Sequence, residues 1–257
     1  DSNQSCKDLS APKRLVFTYA RMTMTALLFN RHPQKILIVG LGGGTLPEAF
    51  FQLLDNAKID TVEIDPAVIK VAKEYFLFED NERKRVIAQD ARVFIKRAIL
   101  QSTEYDLVIL DAFNGDYIPE HLMTKEFLLE VQKVLSRDGV LVANTFGTSK
   151  LYDYESNTYK DVFGSFINYK RPETGNRLII VPQAKLDPEE RDPIVAAELI
   201  QTARELKSKM SELEVPIIRY ARELPRKMLS KPDWDQNTGI ITDQFSPVNL
   251  LRRQPRD

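Results

Sequence analysis

The sequence predicts an α/β fold: a Rossmann-like sheet, mostly parallel, with helices on both faces and antiparallel strands at its C-terminal edge. Three observations predict it. Short apolar runs alternate with amphipathic helical segments from residue 36 to residue 144. The first run, Ile36-Leu37-Ile38-Val39, stops at the glycine cluster Gly40-Leu41-Gly42-Gly43-Gly44, and a helical segment follows at once. A second run, Val62-Glu63-Ile64-Asp65, ends in carboxylates at the spacing from the glycines where an acid commonly accepts from ribose hydroxyls.

Each element follows from local pattern. Strand one is Ile36 to Val39. The helix after it, Leu46 to Leu54, admits Pro47 in its first turn, where a missing N–H costs little. Strand two is Asp60 to Ile64, and Pro66 to Phe76 is helical with Val68, Ile69, Ala72 and Phe76 on one face. Strand three, Arg85 to Ala88, runs into Gln89-Asp90, and the helix Arg92 to Leu100 turns Val93, Ile95 and Ile99 inward. Strand four is Tyr105 to Leu110, ending at Asp111. Thr124 to Leu135 is a helix striped by Phe127, Leu128, Val131 and Leu135, and Asp138-Gly139 turns into strand five, Val140 to Asn144. Strands spaced by such helices predict right-handed crossovers and a sheet covered on both sides. Beyond residue 160, Phe163 to Tyr169 and Arg177 to Val181 flank a Pro/Gly/Asn turn and read as a hairpin. Ile194 to Leu213 reads as a long amphipathic helix. Ile217 to Leu251, with Pro225, Pro232 and Pro247, is expected to be mostly irregular. Met22, Met24, Leu27, Leu28 and Phe29 form an apolar run expected to pack on the sheet.

Composition narrows the function. The chain has 257 residues, enough for one large domain, and a net charge of −1 that offers no attraction to nucleic acid or an anionic membrane. No apolar run is long enough to span a bilayer. A single cysteine, Cys6, excludes an internal disulfide and a cysteine metal cluster, and His32 and His121 stand too far apart to suggest a zinc site, so no metal is expected. The chain begins at Asp1 without methionine, as a processed or excised product would. A cytoplasmic location is expected, with an upstream signal or membrane segment left open.

Every parallel strand ends in something polar or in glycine: strand one in Gly40, strand two in Glu63 and Asp65, strand three in Asp90 and strand four in Asp111. In open α/β sheets the ligand sits outside the carboxyl ends of the strands, so these side chains are expected around one crevice beside the glycine turn.

The segments 36–45, Val62 to Asp65, Gln89-Asp90-Ala91, Tyr105 to Asp111 and Asp138 to Leu141 resemble the polyamine aminopropyltransferases, the spermidine and spermine synthases. Thr242-Asp243-Gln244-Phe245-Ser246-Pro247-Val248 resembles the C-terminal motif of that family's bacterial spermidine-synthase-like branch, and Tyr19 to Pro33 its approach to the first strand. The resemblance implies a class I methyltransferase-type fold and decarboxylated S-adenosylmethionine as co-substrate. It also implies a small-molecule amine as acceptor and, by the family's habit, a homodimer. Carried over, Gly40, Gly42 and Gly44 face the donor, Glu63 with Asp65 holds the ribose side, and Asp90 with Ala91 meets adenine. Asp111 is the proton acceptor, assisted by Tyr19, and Asn114, Asp116 and Tyr117 with Asp111 line the amine side. The expected domains are a lead-in over 1–35, in place of the family's N-terminal hairpin region, a catalytic domain over 36–251 and a tail over 252–257.

The chain also departs from the family pattern. Gly43 stands where the family loop carries an aspartate that contacts the aminopropyl group. Asn114 aligns with the second aspartate of the family's Asp-Ser-Ser-Asp motif, with Asp116 as its replacement after a small shift, and Tyr19-Ala20 stands for a tyrosine-glutamine pair. Two alternatives stay open: an S-adenosylmethionine-dependent methyltransferase, since one fold hosts both chemistries, and a catalytically weak adenosyl-binding domain. His121 is expected to be a surface loop histidine rather than an acid or base of the crevice. Trp234, Asp233, Asp235 and Asp243 belong either to a lid over the site or to a solvated tail.

Overall fold

Alternate residues of each central strand enter two different cores, which makes this sheet a middle layer. Ile36, Ile38, Leu107, Ile109, Val140 and Val142 face one side, while Leu37, Val39, Val108, Leu110, Leu141 and Ala143 face the other. The computed structural model describes residues 5–113, 118–183, 193–228 and 230–245. Its strands are β1 (Lys35–Val39), β2 (Lys58–Glu63), β3 (Lys84–Ala88), β4 (Tyr105–Leu110), β5 (Leu135–Phe146), β6 (Ile167–Lys170) and β7 (Asn176–Pro182). They form one sheet in the order β3-β2-β1-β4-β5-β7-β6. β1 to β5 pair in parallel, and β7 lies antiparallel to both β5 and β6. The expected fold class, with its antiparallel C-terminal edge, is the one found.

The helices are α1 (Thr18–Thr23), α2 (Thr45–Leu53), α3 (Pro66–Tyr75), α4 (Ala91–Leu100), α5 (Lys125–Val134), α6 (Tyr152–Phe163), α7 (Pro193–Glu212) and α8 (Ile217–Met228). One core joins the sheet to α2 through Leu46, Ala49 and Phe50, to α7 through Leu199, Ala203 and Met210, and to α8 through Tyr220 and Leu224. The apolar run at Met22, Met24, Leu27 and Leu28 is buried in this same core, packed on the sheet as its composition suggests. The opposite core takes Ile95 and Ala98 of α4, Phe127, Leu128 and Val131 of α5, and Tyr159 of α6.

Val93, read as inward, is 50% exposed, β5 starts at Leu135 rather than at Val140, and three longer stretches also differ from the sequence reading. Ile217 to Met228 is helix α8 rather than irregular chain. Its buried residues Ile217, Tyr220, Ala221 and Leu224 recur at helical spacing, and Pro225 falls in the last turns. Helix α6 lacks an apolar stripe because much of its buried side is polar: Glu155, Ser156 and Thr158 are enclosed, with Glu155 ion-paired to the fully buried Arg177. The expected hairpin strand from Phe163 is shorter, since Phe163 closes α6, Gly164 stops that helix at φ +71°, and β6 starts only at Ile167.

The strand order reverses between β1 and β4. There the chain leaves β1 at Gly40 and β4 at Asp111, with Asp111 N–H donating to the Val39 carbonyl at 2.8 Å. A side chain at position 40 has no room, because a Cβ there would stand 2.3 Å from the Asp111 carbonyl oxygen, and Gly40 sits at φ +97°. This close approach places the glycine turn against the end of β4.

Candidate active site

Three consequences of the fold bring the candidate residues together at the carboxyl ends of the parallel strands. The parallel register sets Val39 beside Val62 and Leu110, and Glu63 beside Ala88, so the strand ends that carry Gly40, Glu63, Asp90 and Asp111 lie at a common edge. Gly40, Gly42 and Gly44 all take positive φ, which carries the chain from β1 into α2 in a tight turn. Glu63 closes on that turn: its Oε2 accepts from Leu41 N–H at 3.0 Å, and its Oε1 from Asp65 N–H at 3.0 Å. Two backbone donors thus fix the carboxylate and leave lone pairs on each oxygen for further donors such as hydroxyls.

Asp65 and Asp90 are both helix caps. Asp65 Oδ1 accepts from Ala67 N–H at 2.8 Å at the start of α3, where Pro66 opens the helix. Asp90 Oδ1 accepts from Val93 N–H at 2.9 Å at the start of α4, and Ala91 is the buried first residue of that helix. The second oxygen of Asp90 is 2.9 Å from His121 Nε2. Burial alone would raise the Asp90 carboxyl, but the Val93 N–H and His121 hold it below the usual value, so it is an acceptor at neutral pH.

Asp111 is the most perturbed carboxylate of the group. Burial pushes its pKa up to about 7, against the pull of two donors. Asn144 Nδ2, near the end of β5, donates to Oδ1 at 2.7 Å, and Tyr19 OH of α1 donates to Oδ2 at 3.4 Å. Burial, then the Asp111 charge, push the Tyr19 phenol above its ordinary value, so it stays protonated and a donor. Asn144 is itself oriented: its Oδ1 accepts from Asn176 Nδ2 at 3.0 Å, and Asn176 Oδ1 accepts from Thr174 Oγ1 at 2.7 Å. The antiparallel pairing of β5 with β7 makes this relay, with Asn144 opposite Leu178 and Phe146 opposite Asn176. Phe113, two residues after Asp111, stacks edge-on against Phe146, with ring centroids 5.1 Å apart.

Sequence reasoning missed Asn144 and Asn176. It sought acids at strand ends, whereas Asn144 is an amide at the end of the fifth strand. Asn114, Asp116 and Tyr117 lie outside the described residues. The N-terminal stretch adds an unexpected contact, since Ser5 Oγ accepts from Gly43 N–H at 2.8 Å. Gly43 itself is closed to larger side chains, because a Cβ there would meet the Phe76 ring at 2.5 Å.

Residues 230–245 of the C-terminal segment are packed on the body of the protein rather than left as a solvated tail. Trp234 stacks on Phe166 at 5.3 Å and donates to Asn157 Oδ1 at 2.9 Å. Asp233 pairs with Lys170, and Asp243 is held by Arg92 and by Thr124 Oγ1, both at 2.7 Å. The segment is strapped across α4, α5 and α6, and the charges of Asp233 and Asp243 are spent on those ties. Among the described residues no helix is long and apolar enough to cross a membrane.

Known proteins resemble the chain in sequence and in fold. The chain is 49% identical, over 93% of its own length and 77% of the relative's, to a polyamine aminopropyltransferase of Vibrio vulnificus. Two solved structures share the fold. A probable spermidine synthase from Corynebacterium glutamicum has a TM-score of 0.63 at 20% identity, covering 90% of this chain and 85% of that one. Human methyltransferase-like protein 13, solved with SAH, has a TM-score of 0.61 at 24% identity, covering 85% and 93%. The family model for the spermine/spermidine synthase domain matches residues 16–181, the stretch that runs from α1 through β7 and contains the glycine turn, Glu63, Asp90, Asp111 and Asn144. The chain belongs to the spermine/spermidine synthase family.

Proposed function

We propose that this protein transfers an aminopropyl group from decarboxylated S-adenosylmethionine to a polyamine-type amine. The observation that carries this reading is Asp111: a carboxylate with a pKa of about 7, held by Asn144 and Tyr19 at the end of β4 beside the glycine turn.

The chemistry asks for such a group. An alkylamine is protonated at neutral pH and has no lone pair to attack with. A carboxylate poised near neutrality can first hold the ammonium and then take its proton. The nitrogen lone pair forms a new C–N bond to the methylene carbon beside the sulfonium. The C–S bond breaks with its electron pair passing to sulfur, methylthioadenosine leaves as a neutral thioether, and the proton goes to Asp111. Tyr19 and Asn144 orient the Asp111 oxygens for that transfer. Glu63 with Asp65 is assigned to the ribose side, Asp90 with Ala91 to adenine, and the turn through Gly40, Gly42 and Gly44 to close approach of the donor. Asn114, Asp116 and Tyr117, which follow Asp111 in sequence, are assigned to the amine side by family resemblance alone. The same resemblance is the ground for a homodimer.

A second reading, methyl transfer from S-adenosylmethionine, is favoured by one observation. Gly43 lacks the family's loop aspartate, and Phe76 fills the space its Cβ would need. Mass spectrometry of the nucleoside product, with each donor supplied separately alongside a diamine, decides between them. Methylthioadenosine from the decarboxylated donor supports the first reading, and S-adenosylhomocysteine from the ordinary donor overturns it.

A further inference from the structure

His121 follows Asp111 by ten residues, in a turn of 3-10 helix at Glu120–Leu122 that precedes α5. Its ring nitrogen Nε2 reaches back to Asp90 Oδ2 at 2.9 Å, joining the stretch after β4 to the N-terminus of α4. Both side chains are partly open to solvent, at 46% for His121 and 27% for Asp90, so neither is locked in the core. The contact has a consequence for Asp90. One oxygen is already committed to capping α4 through Val93 N–H. Without a partner the other oxygen is free to turn or to take up water. With His121 donating to it, the carboxylate plane is fixed at both oxygens, and two of its four lone-pair directions stay available.

We propose that His121 is a positioning residue that sets the purine selectivity of the nucleoside site, by holding Asp90 as a fixed acceptor for a 6-amino group. The inference rests on the assignment of Asp90 to adenine made above and adds a residue and a selectivity to it. A carboxylate so held accepts from the amino group of adenine and repels the 6-oxo oxygen of hypoxanthine, which has lone pairs where adenine has hydrogens. A site built to pair with one polar group rejects the analogue that lacks it, because the carboxylate, once the purine covers it, is left facing an acceptor instead of a donor. His121 also lies on the same connection as Asp111, so a purine seated against Asp90 bears on the stretch that carries the proton acceptor.

The test is calorimetric binding of 5′-methylthioadenosine and 5′-methylthioinosine to the full chain and to His121→Ala and His121→Gln, with thermal melts to establish that each variant folds. The wild type is expected to prefer the 6-amino nucleoside. His121→Ala should weaken methylthioadenosine about tenfold, the scale of one hydrogen bond to a charged group, and should shrink the preference over methylthioinosine. His121→Gln, whose amide N–H reaches toward Asp90 from a similar distance, should restore much of both, which a merely structural role would not do. Unchanged binding and selectivity in His121→Ala, with a wild type that binds, overturns the role of His121. A wild type that binds neither nucleoside overturns instead the assignment of Asp90 on which the proposal stands, and the proposal with it.

Discussion

Asn144 donates to Asp111 Oδ1 at 2.7 Å, tying the end of β5 to the end of β4. The bond is one of two that favour the charged form of a carboxylate that burial would otherwise keep neutral. Asn144 is held in turn by Asn176 and Thr174, so its amide has a defined orientation: the oxygen faces β7 and the nitrogen faces Asp111.

Replacing Asn144 by alanine therefore raises the Asp111 pKa above about 7. The acid limb of the kcat/KM profile should move to higher pH, and turnover at pH 7 should fall about tenfold, as expected for loss of one hydrogen bond to a charged group. Replacing Asn176 by alanine should have a smaller effect in the same direction. An acid limb unmoved in Asn144→Ala would contradict the assignment.

The same burial makes stability depend on pH in a defined sense. The folded pKa of Asp111, about 7, lies above its ordinary value of 3.8, so between those values the folded state binds more protons than the unfolded state. Its contribution is fully present below about pH 4 and is lost as pH rises through about 7, by at most about 4 kcal/mol. Asp111→Asn, which cannot ionise, should melt higher than wild type at pH 8 and converge with it near pH 4. Denaturant melts across this range test it, and a difference independent of pH would refute it.

Much of this arrangement was legible in the sequence, for reasons that also explain what was not. Strands β1, β4 and β5 carry apolar residues to both cores and read as continuous runs, and the turn at Gly40 to Gly44 announces a close approach that the Asp111 carbonyl makes real. Glu63, Asp90 and Asp111 follow because side chains at parallel strand ends share an edge. Helix α6 stayed hidden because its buried partners are an ion pair and hydroxyls, which leave no apolar period. Helix α8 stayed hidden behind Pro225, although Ile217, Tyr220, Ala221 and Leu224 mark its buried face. Asn144 could be recognised only once the pairings of β5 with β4 and with β7 put it beside Asp111 and Asn176.

Phe76 crowds the position of the missing loop aspartate, and the crowding can be tested. Gly43→Asp places a Cβ 2.5 Å from the Phe76 ring, an overpacking that should cost about 1–3 kcal/mol and leave turnover with the decarboxylated donor no higher. Adding Phe76→Ala to Gly43→Asp should open the space and remove the steric part of that loss. A stable single variant with improved donor KM would show that the loop yields more readily than the packing implies.

The strapped C-terminal segment should matter for stability and not for nucleoside binding. Arg92 is largely buried between Glu130 and Asp243, so Arg92→Ala removes two ion pairs, leaving Glu130 with Lys96 and Asp243 with Thr124, and should destabilise by about 1–2 kcal/mol. Affinity for methylthioadenosine should stay within about twofold, since the ties run across α4, α5 and α6 and involve none of the residues assigned to the donor, a margin of a few tenths of a kcal/mol. A large loss of affinity would return the segment to the role of a lid.

The central claim is that Asp111 takes the proton as an aminopropyl group moves from sulfur to nitrogen. The most direct measurement is the single-turnover rate of methylthioadenosine formation from the decarboxylated donor and a diamine, for wild type and for Asp111→Asn, across pH 5 to 9. The account predicts a wild-type rate that rises through an apparent pKa of about 7 and falls about 10²-fold or more in Asp111→Asn, with donor affinity retained. An undiminished rate in Asp111→Asn, or product only from the ordinary donor, would contradict it.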